Sequence, residues 1–70
     1  MKKPNFSEKE IQFIQLCATD MTYHQIAVIM YMSPKTIENY RERVFEKLEV
    51  KTRTRLVVIA IKHQLIDIYD

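Results

Sequence analysis

The sequence contains no glycine among its 70 residues, and it has only two prolines and one cysteine. Glycine is usual in the tight turns of β-sheets and in the loops with which many nucleotide-binding proteins hold phosphate groups. Its absence therefore argues against a sheet-rich fold and against a glycine-rich phosphate loop. Hydrophobic residues make up 47% of the chain and charged residues 29%, a balance that suits a compact helical bundle.

The single cysteine, Cys17, excludes a disulfide within the chain, so packing alone must hold the domain together, as is usual in reducing compartments. No apolar run approaches the length of a membrane span, and the start Met-Lys-Lys-Pro-Asn lacks the apolar core of a signal peptide. We therefore expect a cytoplasmic protein with no membrane contact. The net charge of +2 does not by itself indicate a partner, although Lys51, Arg53 and Arg55 lie together in one short segment.

Four segments begin with a residue that favours a helix start, and each continues with apolar residues at helical spacing. The N-cap residues are Ser7, Thr22, Ser33 and Thr52. The pattern predicts an all-α four-helix bundle. Its helices are expected at about 8–19, 23–30, 34–48 and 53 to 65 or 66. The expected organisation is a linker or N-terminal arm at 1–6, one domain at 7–66 and a tail at 67–70.

Helical spacing also predicts which side of each helix is buried. The residues expected to face the core from the first, second and fourth helices are Phe13, Ile14, Cys17, Ile26, Ala27, Met30, Leu56, Ile59 and Ala60. In the third helix the apolar side consists of Ile37, Val44 and Leu48, with Tyr40 and Phe45 at its edges.

The second and third predicted helices have the arrangement of a helix-turn-helix, because the second is short and few residues separate it from the third. Pro34 suits the first position of that third helix. The side opposite Ile37 is polar and carries Lys35, Glu38, Asn39, Glu42, Arg43 and Glu46. A helix held on one side and polar on the other can read base edges in the major groove of DNA. The alternative interpretation is an ordinary solvated face.

Several residues of the chain are in register with a known family. They are Ser7 and Glu10, Thr22 with Ile26 and Ala27, the run Ser33-Pro34-Lys35-Thr36-Ile37, Lys47 and Leu48 with Val50, and Arg53 and Ala60. With these features, residues 6–66 resemble the LuxR-type helix-turn-helix domain, also called the NarL/FixJ or GerE type.

The resemblance implies the DNA-binding domain of a transcription regulator, with the third helix in the major groove and dimerisation through the fourth. It also implies a position at the C-terminus of a response regulator, behind a receiver domain, although stand-alone domains of this length exist. The expected partners are double-stranded DNA, a second copy of the chain and RNA polymerase.

The chain departs from the family pattern at five positions. Asp20, Glu49 and Gln64 stand where the family often has glycine, so these helix ends must close without a left-handed residue or with a strained one. Tyr40 replaces a frequent histidine, and Glu38 replaces a lysine that often contacts a base. The last change makes the sequence preference hard to transfer from the family.

Two sets of residues are candidates for DNA contact. For phosphates, which supply affinity, they are Thr22, Tyr23, Lys35, Thr36, Tyr40, Arg43 and Lys51. For bases, which supply sequence preference, they are Glu38, Asn39 and Glu42, because asparagine pairs with adenine and glutamate accepts from the amino group of cytosine. The glutamates can equally form weak surface ion pairs, and Tyr40 can simply pack at the edge of the core.

The apolar residues of the predicted fourth helix cover more of its circumference than packing against one core requires. Val58 and Ile61 are the candidate dimer residues, and the alternative is that the first helix covers them.

Other functions have weaker support in the sequence. The serines and histidines show no spacing typical of a catalytic triad, and Cys17, His24 and His63 are too few for a structural zinc site. We therefore expect no enzyme activity, no metal and no cofactor. Two alternatives stay open, namely a sigma-factor-like promoter-binding domain, which the capped fourth helix disfavours, and a protein-interaction bundle that binds no DNA.

Overall fold

A computed structural model describes residues 5–67 of the chain. This part of the chain contains four helices and no strand, which confirms the all-α class. The helices are α1 (Glu8–Cys17), α2 (Tyr23–Ile29), α3 (Pro34–Leu48) and α4 (Arg53–Lys62). Most of the predicted N-terminal arm (1–4) and most of the predicted tail (68–70) lie outside the described residues.

Each helix starts at the N-cap residue that the sequence indicated, since a cap is a local interaction. In α1, the backbone N–H of Glu10 donates to Ser7 Oγ at 3.1 Å, and the Ser7 N–H donates to Glu10 Oε1 at 2.9 Å. Thr22 and Gln25 form the same reciprocal capping box at the start of α2. These bonds satisfy N–H groups that have no partner within the helix.

Three helices end with a left-handed residue that is not glycine. Tyr31, Glu49 and Gln64 have φ angles of 55°, 55° and 59° after α2, α3 and α4 respectively. Each end has the two bonds of a Schellman motif. After α2, for example, the N–H of Met32 donates to the carbonyl of Ala27, and that of Tyr31 to the carbonyl of Val28.

Three helices are shorter than the sequence predicted, and α2 is shorter by one residue, since it ends at Ile29 rather than at 30. α4 ends at Lys62 rather than at 65 or 66, because the left-handed Gln64 turns the chain and the Leu65 N–H bonds to the carbonyl of Ala60. α1 ends at Cys17 rather than at 19, and the Thr19 hydroxyl donates to the carbonyl of Leu16 at 2.6 Å.

One hydrophobic core unites the four helices. Its buried members are Phe13, Ile14, Cys17, Ile26, Ala27, Met30, Ile37, Val44, Leu48, Val50, Leu56, Ala60 and Ile66. The predicted core sides are therefore confirmed, except that Ile59 is only half-buried. None of the helices in residues 5–67 is long and apolar enough to cross a membrane.

A buried carboxylate joins α1 to α3. Glu10 is 4% exposed and lies 3.0 Å from the Lys47 ammonium. Lys47 also donates to the carbonyl of Asn5 at 3.0 Å and lies 5.0 Å from the centre of the Phe6 ring. A capping residue of α1 is thus also the anchor for the C-terminal half of α3.

Candidate nucleic-acid interface

The third helix is held on one side and open on the other. Ile37, Val44 and Leu48 are buried, with exposed fractions of 2%, 0% and 9%. The three candidate base-contacting residues, Glu38, Asn39 and Glu42, are all exposed. These side chains can therefore reach a ligand without disturbing the core.

The candidate phosphate-binding residues differ in how freely they can reach a ligand. Thr22, Lys35, Arg43 and Lys51 are exposed, whereas Tyr23, Thr36 and Tyr40 are half-buried. At the start of α2, the capping box uses the N–H groups of Thr22 and Gln25, so these two donors are not available to a phosphate.

The candidates beside α3 lie on two different flanks of that helix. On the α1 flank, the Tyr40 ring is 6.2 Å from that of Phe13, and the Arg43 guanidinium lies 5.2 Å from the centre of the Tyr40 ring. Arg43 also lies 4.0 Å from a carboxylate oxygen of the buried Glu10. The charge of Arg43 is thus partly engaged within the protein.

The opposite flank of α3 has two open clefts that share Tyr23 and Arg41. The loop cleft, of about 550 Å³, lies between α3 and the segment joining α3 to α4, and Lys51 and Arg53 also line it. The turn cleft, of about 330 Å³, lies beside the start of α3 and is also lined by Glu38. Three of the candidate residues thus meet at the loop cleft, namely Tyr23 and Lys51 from the phosphate set and Glu42 from the base set.

Two guanidinium groups contact the ring of Tyr23. Those of Arg41 and Arg53 lie 5.4 Å and 5.1 Å from the ring centre, and the ring itself stacks on Phe13 at 6.3 Å. Burial is the main effect that raises the pKa of the Tyr23 phenol, and Cys17 adds to it, whereas Arg53 and Arg41 act in the opposite direction.

Arg53 has a structural role at the end of α1. It donates to the carbonyls of Cys17, Thr19 and Leu16 at 3.0, 2.9 and 3.4 Å. A cation at a helix C-terminus interacts favourably with the helix dipole, and these bonds satisfy carbonyls that α1 leaves without a partner. Arg53 therefore fixes the start of α4 against the end of α1.

Sequence reasoning did not nominate Arg41 as a site residue. The signal was available, because Arg41 is four residues after the buried Ile37 and so borders the apolar side of α3. A long cationic side chain at such a border keeps its stem on the protein and its head group at the surface. Which neighbour the head group meets depends on the position of α2, and helical spacing does not contain that information.

On α4, the two candidate dimer residues differ in exposure. Val58 is 47% exposed, so α1 does not cover it, whereas Ile61 is half-buried and packs against the core. Val58 also lines an open cleft of about 320 Å³ with Thr54 and Val57. An apolar surface is thus available on α4.

Cys17 is a buried member of the core. Residues 5–67 contain no group of three or more histidine, cysteine, aspartate or glutamate side chains that could hold a metal ion. Cys17 is buried, and burial raises the pKa of its thiol from 9.0 to about 11, although Arg53 acts to lower it. The thiol therefore stays protonated at neutral pH and behaves as a core side chain.

The fold and this interface define a helix-turn-helix domain of four helices, in which a short α2 and a tight turn position a longer α3. Residues 4–60 match the family model described as bacterial regulatory proteins, luxR family. The chain therefore belongs to the luxR family and is a DNA-binding domain of the type that regulates transcription. The resemblance seen in the sequence is confirmed.

The curated relatives of the chain include several response regulators. Response regulator GacA of Pseudomonas aeruginosa is 35% identical over 63 residues, which cover 90% of this chain and 29% of GacA. Response regulator UvrY of Escherichia coli K12 is 33% identical over 61 residues, which cover 87% of this chain and 28% of UvrY. The chain thus spans less than a third of the length of these relatives. No solved structure matches it significantly.

Proposed function

We propose that the chain binds double-stranded DNA at specific sequences, with α3 in the major groove, and thereby regulates transcription. The observation that carries the proposal is the division of α3 into a buried side and an exposed side. Three companion helices hold Ile37, Val44 and Leu48, while Asn39 and its polar neighbours stay accessible. A rigid helix with exposed hydrogen-bonding side chains is what base reading in the major groove requires.

In this proposal, some side chains contact bases and others contact phosphates. Asn39 pairs with adenine, and Glu38 and Glu42 accept hydrogen bonds from the amino group of cytosine. Contacts with phosphates supply most of the affinity. The proposed residues for these contacts are Thr22, Tyr23, Lys35, Thr36, Tyr40, Arg43 and Lys51. Because the glutamates repel phosphates, the affinity must come from flanking cations such as Lys35, Arg43 and Lys51 and from the helix ends. Binding should therefore weaken steeply as salt is added.

We also propose the wider context in which the domain works. The named response regulators to which it is similar favour a role as an output domain controlled by a receiver domain, in a protein that acts on the bacterial chromosome in the cytoplasm. Dimerisation through Val58 and Ile61 of α4 would place two recognition helices on half-sites about 34 Å apart. RNA polymerase is the proposed target of a bound dimer.

The first prediction tests DNA binding and the role of Asn39. In a gel shift on mixed genomic fragments at low salt, the wild-type chain should bind and select a subset of fragments. Asn39→Ala should lose that selection, with each lost base preference worth about 1–3 kcal/mol, while binding to unselected DNA persists.

Gln15→Ala is the matched control, because it removes a similar exposed amide from α1 and should leave the selection intact. If the wild-type chain binds no fragment at low salt even at high protein concentration, the proposed function is wrong.

A second candidate function is a protein-interaction domain that binds no DNA. The observation in its favour is an exposed apolar surface at the end of α2, where Val28, Ile29 and Tyr31 are 63%, 48% and 96% exposed. Exposed apolar groups of this kind often mark protein contacts. The gel shift distinguishes the two functions, since the protein-interaction function predicts that the mobility of the DNA fragments does not change.

A further inference from the structure

We propose that Arg41 binds a phosphate of the DNA backbone in the loop cleft, together with Lys51. The inference rests on the proposed DNA-binding function and adds a residue and a defined subsite to it. The two cations come from different elements, since Arg41 lies in α3 and Lys51 in the segment between α3 and α4. Both line the same cleft of about 550 Å³.

The first argument is the state of the Arg41 side chain. Arg41 is half-buried and its guanidinium lies 5.4 Å from the centre of the Tyr23 ring, yet within residues 5–67 it forms neither a hydrogen bond nor an ion pair. Glu42 lines the loop cleft itself and Glu38 lines the turn cleft, but neither carboxylate forms an ion pair with Arg41. A guanidinium has five N–H donors in a fixed planar fork that matches a phosphate. The donors of Arg41 are thus available to a ligand.

The second argument is the crowding of positive charge around Tyr23. Arg53 lies against the same ring as Arg41, and Lys51 lines the cleft beside them. Arg53 donates to three carbonyls at the negative end of the α1 dipole, whereas no such acceptor contacts Arg41 within residues 5–67. An anion in the loop cleft would reduce the repulsion between these cations.

The third argument is the contrast with Arg43, the arginine that sequence reasoning nominated. Arg43 lies on the α1 flank, 4.0 Å from Glu10, and its exposed guanidinium already has a carboxylate beside it. Arg41 lies on the flank of α3 that carries Tyr23 and Lys51. The stacking of Arg41 on Tyr23 also restricts the guanidinium before a ligand arrives, which reduces the entropy lost on binding.

The test measures the salt dependence of DNA binding for the full chain. Fluorescence anisotropy gives the affinity for a duplex selected in the gel shift and for an unrelated duplex of equal length, between roughly 50 and 200 mM salt. Arg41→Gln should lower the affinity for both duplexes alike, by roughly three- to tenfold, and reduce the slope of log K against log salt by about 1. Arg41→Lys keeps the charge and should keep most of the slope.

Lys62→Gln is the control for net charge, because it removes one positive charge from the end of α4, outside both clefts. It should leave the slope unchanged. A measurement on the wild-type chain avoids any loss of folding in the variants, since the Nε–H resonance of Arg41 should shift when duplex is added.

An unchanged slope for Arg41→Gln, or an Arg41 resonance that does not move, would overturn the phosphate role while leaving the proposed function standing. A loss of affinity confined to the selected duplex would also overturn it, because it would assign a base contact instead. A wild-type chain that binds neither duplex would instead refute the proposed function, and the phosphate site with it.

Discussion

At the scale of single residues, the most unusual feature is the use of side chains other than glycine at left-handed positions. Tyr31, Glu49 and Gln64 each occupy a conformation that costs an L-residue roughly 1–2 kcal/mol. Two of them, Glu49 and Gln64, stand where the family often has glycine. The third expected position, Asp20, is not left-handed, because Thr19 and Arg53 close the end of α1 instead. A domain of 70 residues has a small free energy of unfolding, so strain of this size is a substantial cost to it.

We expect Glu49→Gly to stabilise the domain by about 1 kcal/mol, because glycine adopts this conformation without the clash of a Cβ atom. The measurement is the free energy of unfolding from urea denaturation. Glu46→Gly is the matched control, since Glu46 is exposed within α3 and glycine in a helix costs about 1 kcal/mol. Equal effects of the two substitutions would contradict the assignment of strain to Glu49.

At the scale of helices, two charged side chains set how α1 lies against its neighbours. Glu10 holds α3 through Lys47, and Arg53 holds the start of α4 against the end of α1. Burial alone would raise the pKa of Glu10, but the Ser7 N–H, Lys47 and Arg43 together lower it below its ordinary value of 4.5. The carboxylate therefore stays charged in the folded protein at neutral pH.

This lowered pKa predicts how stability depends on pH. Because the folded state holds the proton of Glu10 less tightly than the unfolded state, the carboxylate stabilises the fold at pH values above the ordinary pKa of 4.5. That contribution is lost as the pH falls through the lowered pKa. Glu10→Gln should destabilise the domain by about 1 kcal/mol at pH 7, through the lost charge-assisted bond to Lys47, and should flatten the acid limb of the stability profile.

The profile is measured by urea denaturation at a series of pH values. Glu8→Gln serves as the control, because it removes an exposed carboxylate from the same first turn of α1. An acid limb of equal steepness in wild type and Glu10→Gln would show that Glu10 does not contribute to it.

At the scale of the whole molecule, DNA recognition depends on how many domains bind together. A single recognition helix contacts one half-site, and a dimer doubles the contacts without further change in the fold. Val58 offers an exposed apolar group on α4 that the core does not need. This exposed group is why we propose association through α4.

We expect Val58→Asp to weaken self-association, because a dimer would have to bury the new carboxylate against an apolar surface. Sedimentation velocity over a range of concentrations measures this. Gln12→Asp introduces a carboxylate at an exposed position of α1 and should leave association unchanged. A wild-type chain that stays monomeric at high concentration, or a Val58→Asp variant that still dimerises, would contradict the proposed interface.

Whether a feature could be predicted from the sequence depends on how far apart along the chain the interacting residues lie. The four helix starts and the core sides followed from caps and spacing, which act within a few residues. The placement of Glu38, Asn39 and Glu42 on the open side of α3 followed from the same spacing. The predicted end of α4 lies too far towards the C-terminus, because nothing in the apolar pattern indicates that Gln64 adopts a left-handed backbone conformation.

The sequence by itself determined that the fold is all-α, where its helices begin, which side of each helix faces the core and to which family the chain belongs. Those features depend on local hydrogen bonds, periodicity and motif register. Only the tertiary structure decided that Glu10 pairs with Lys47, 37 residues away, and that Arg41 and Arg53 meet at the ring of Tyr23. Such contacts depend on which helices pack together and on how each helix is rotated about its own axis. No local sequence pattern determines either of these.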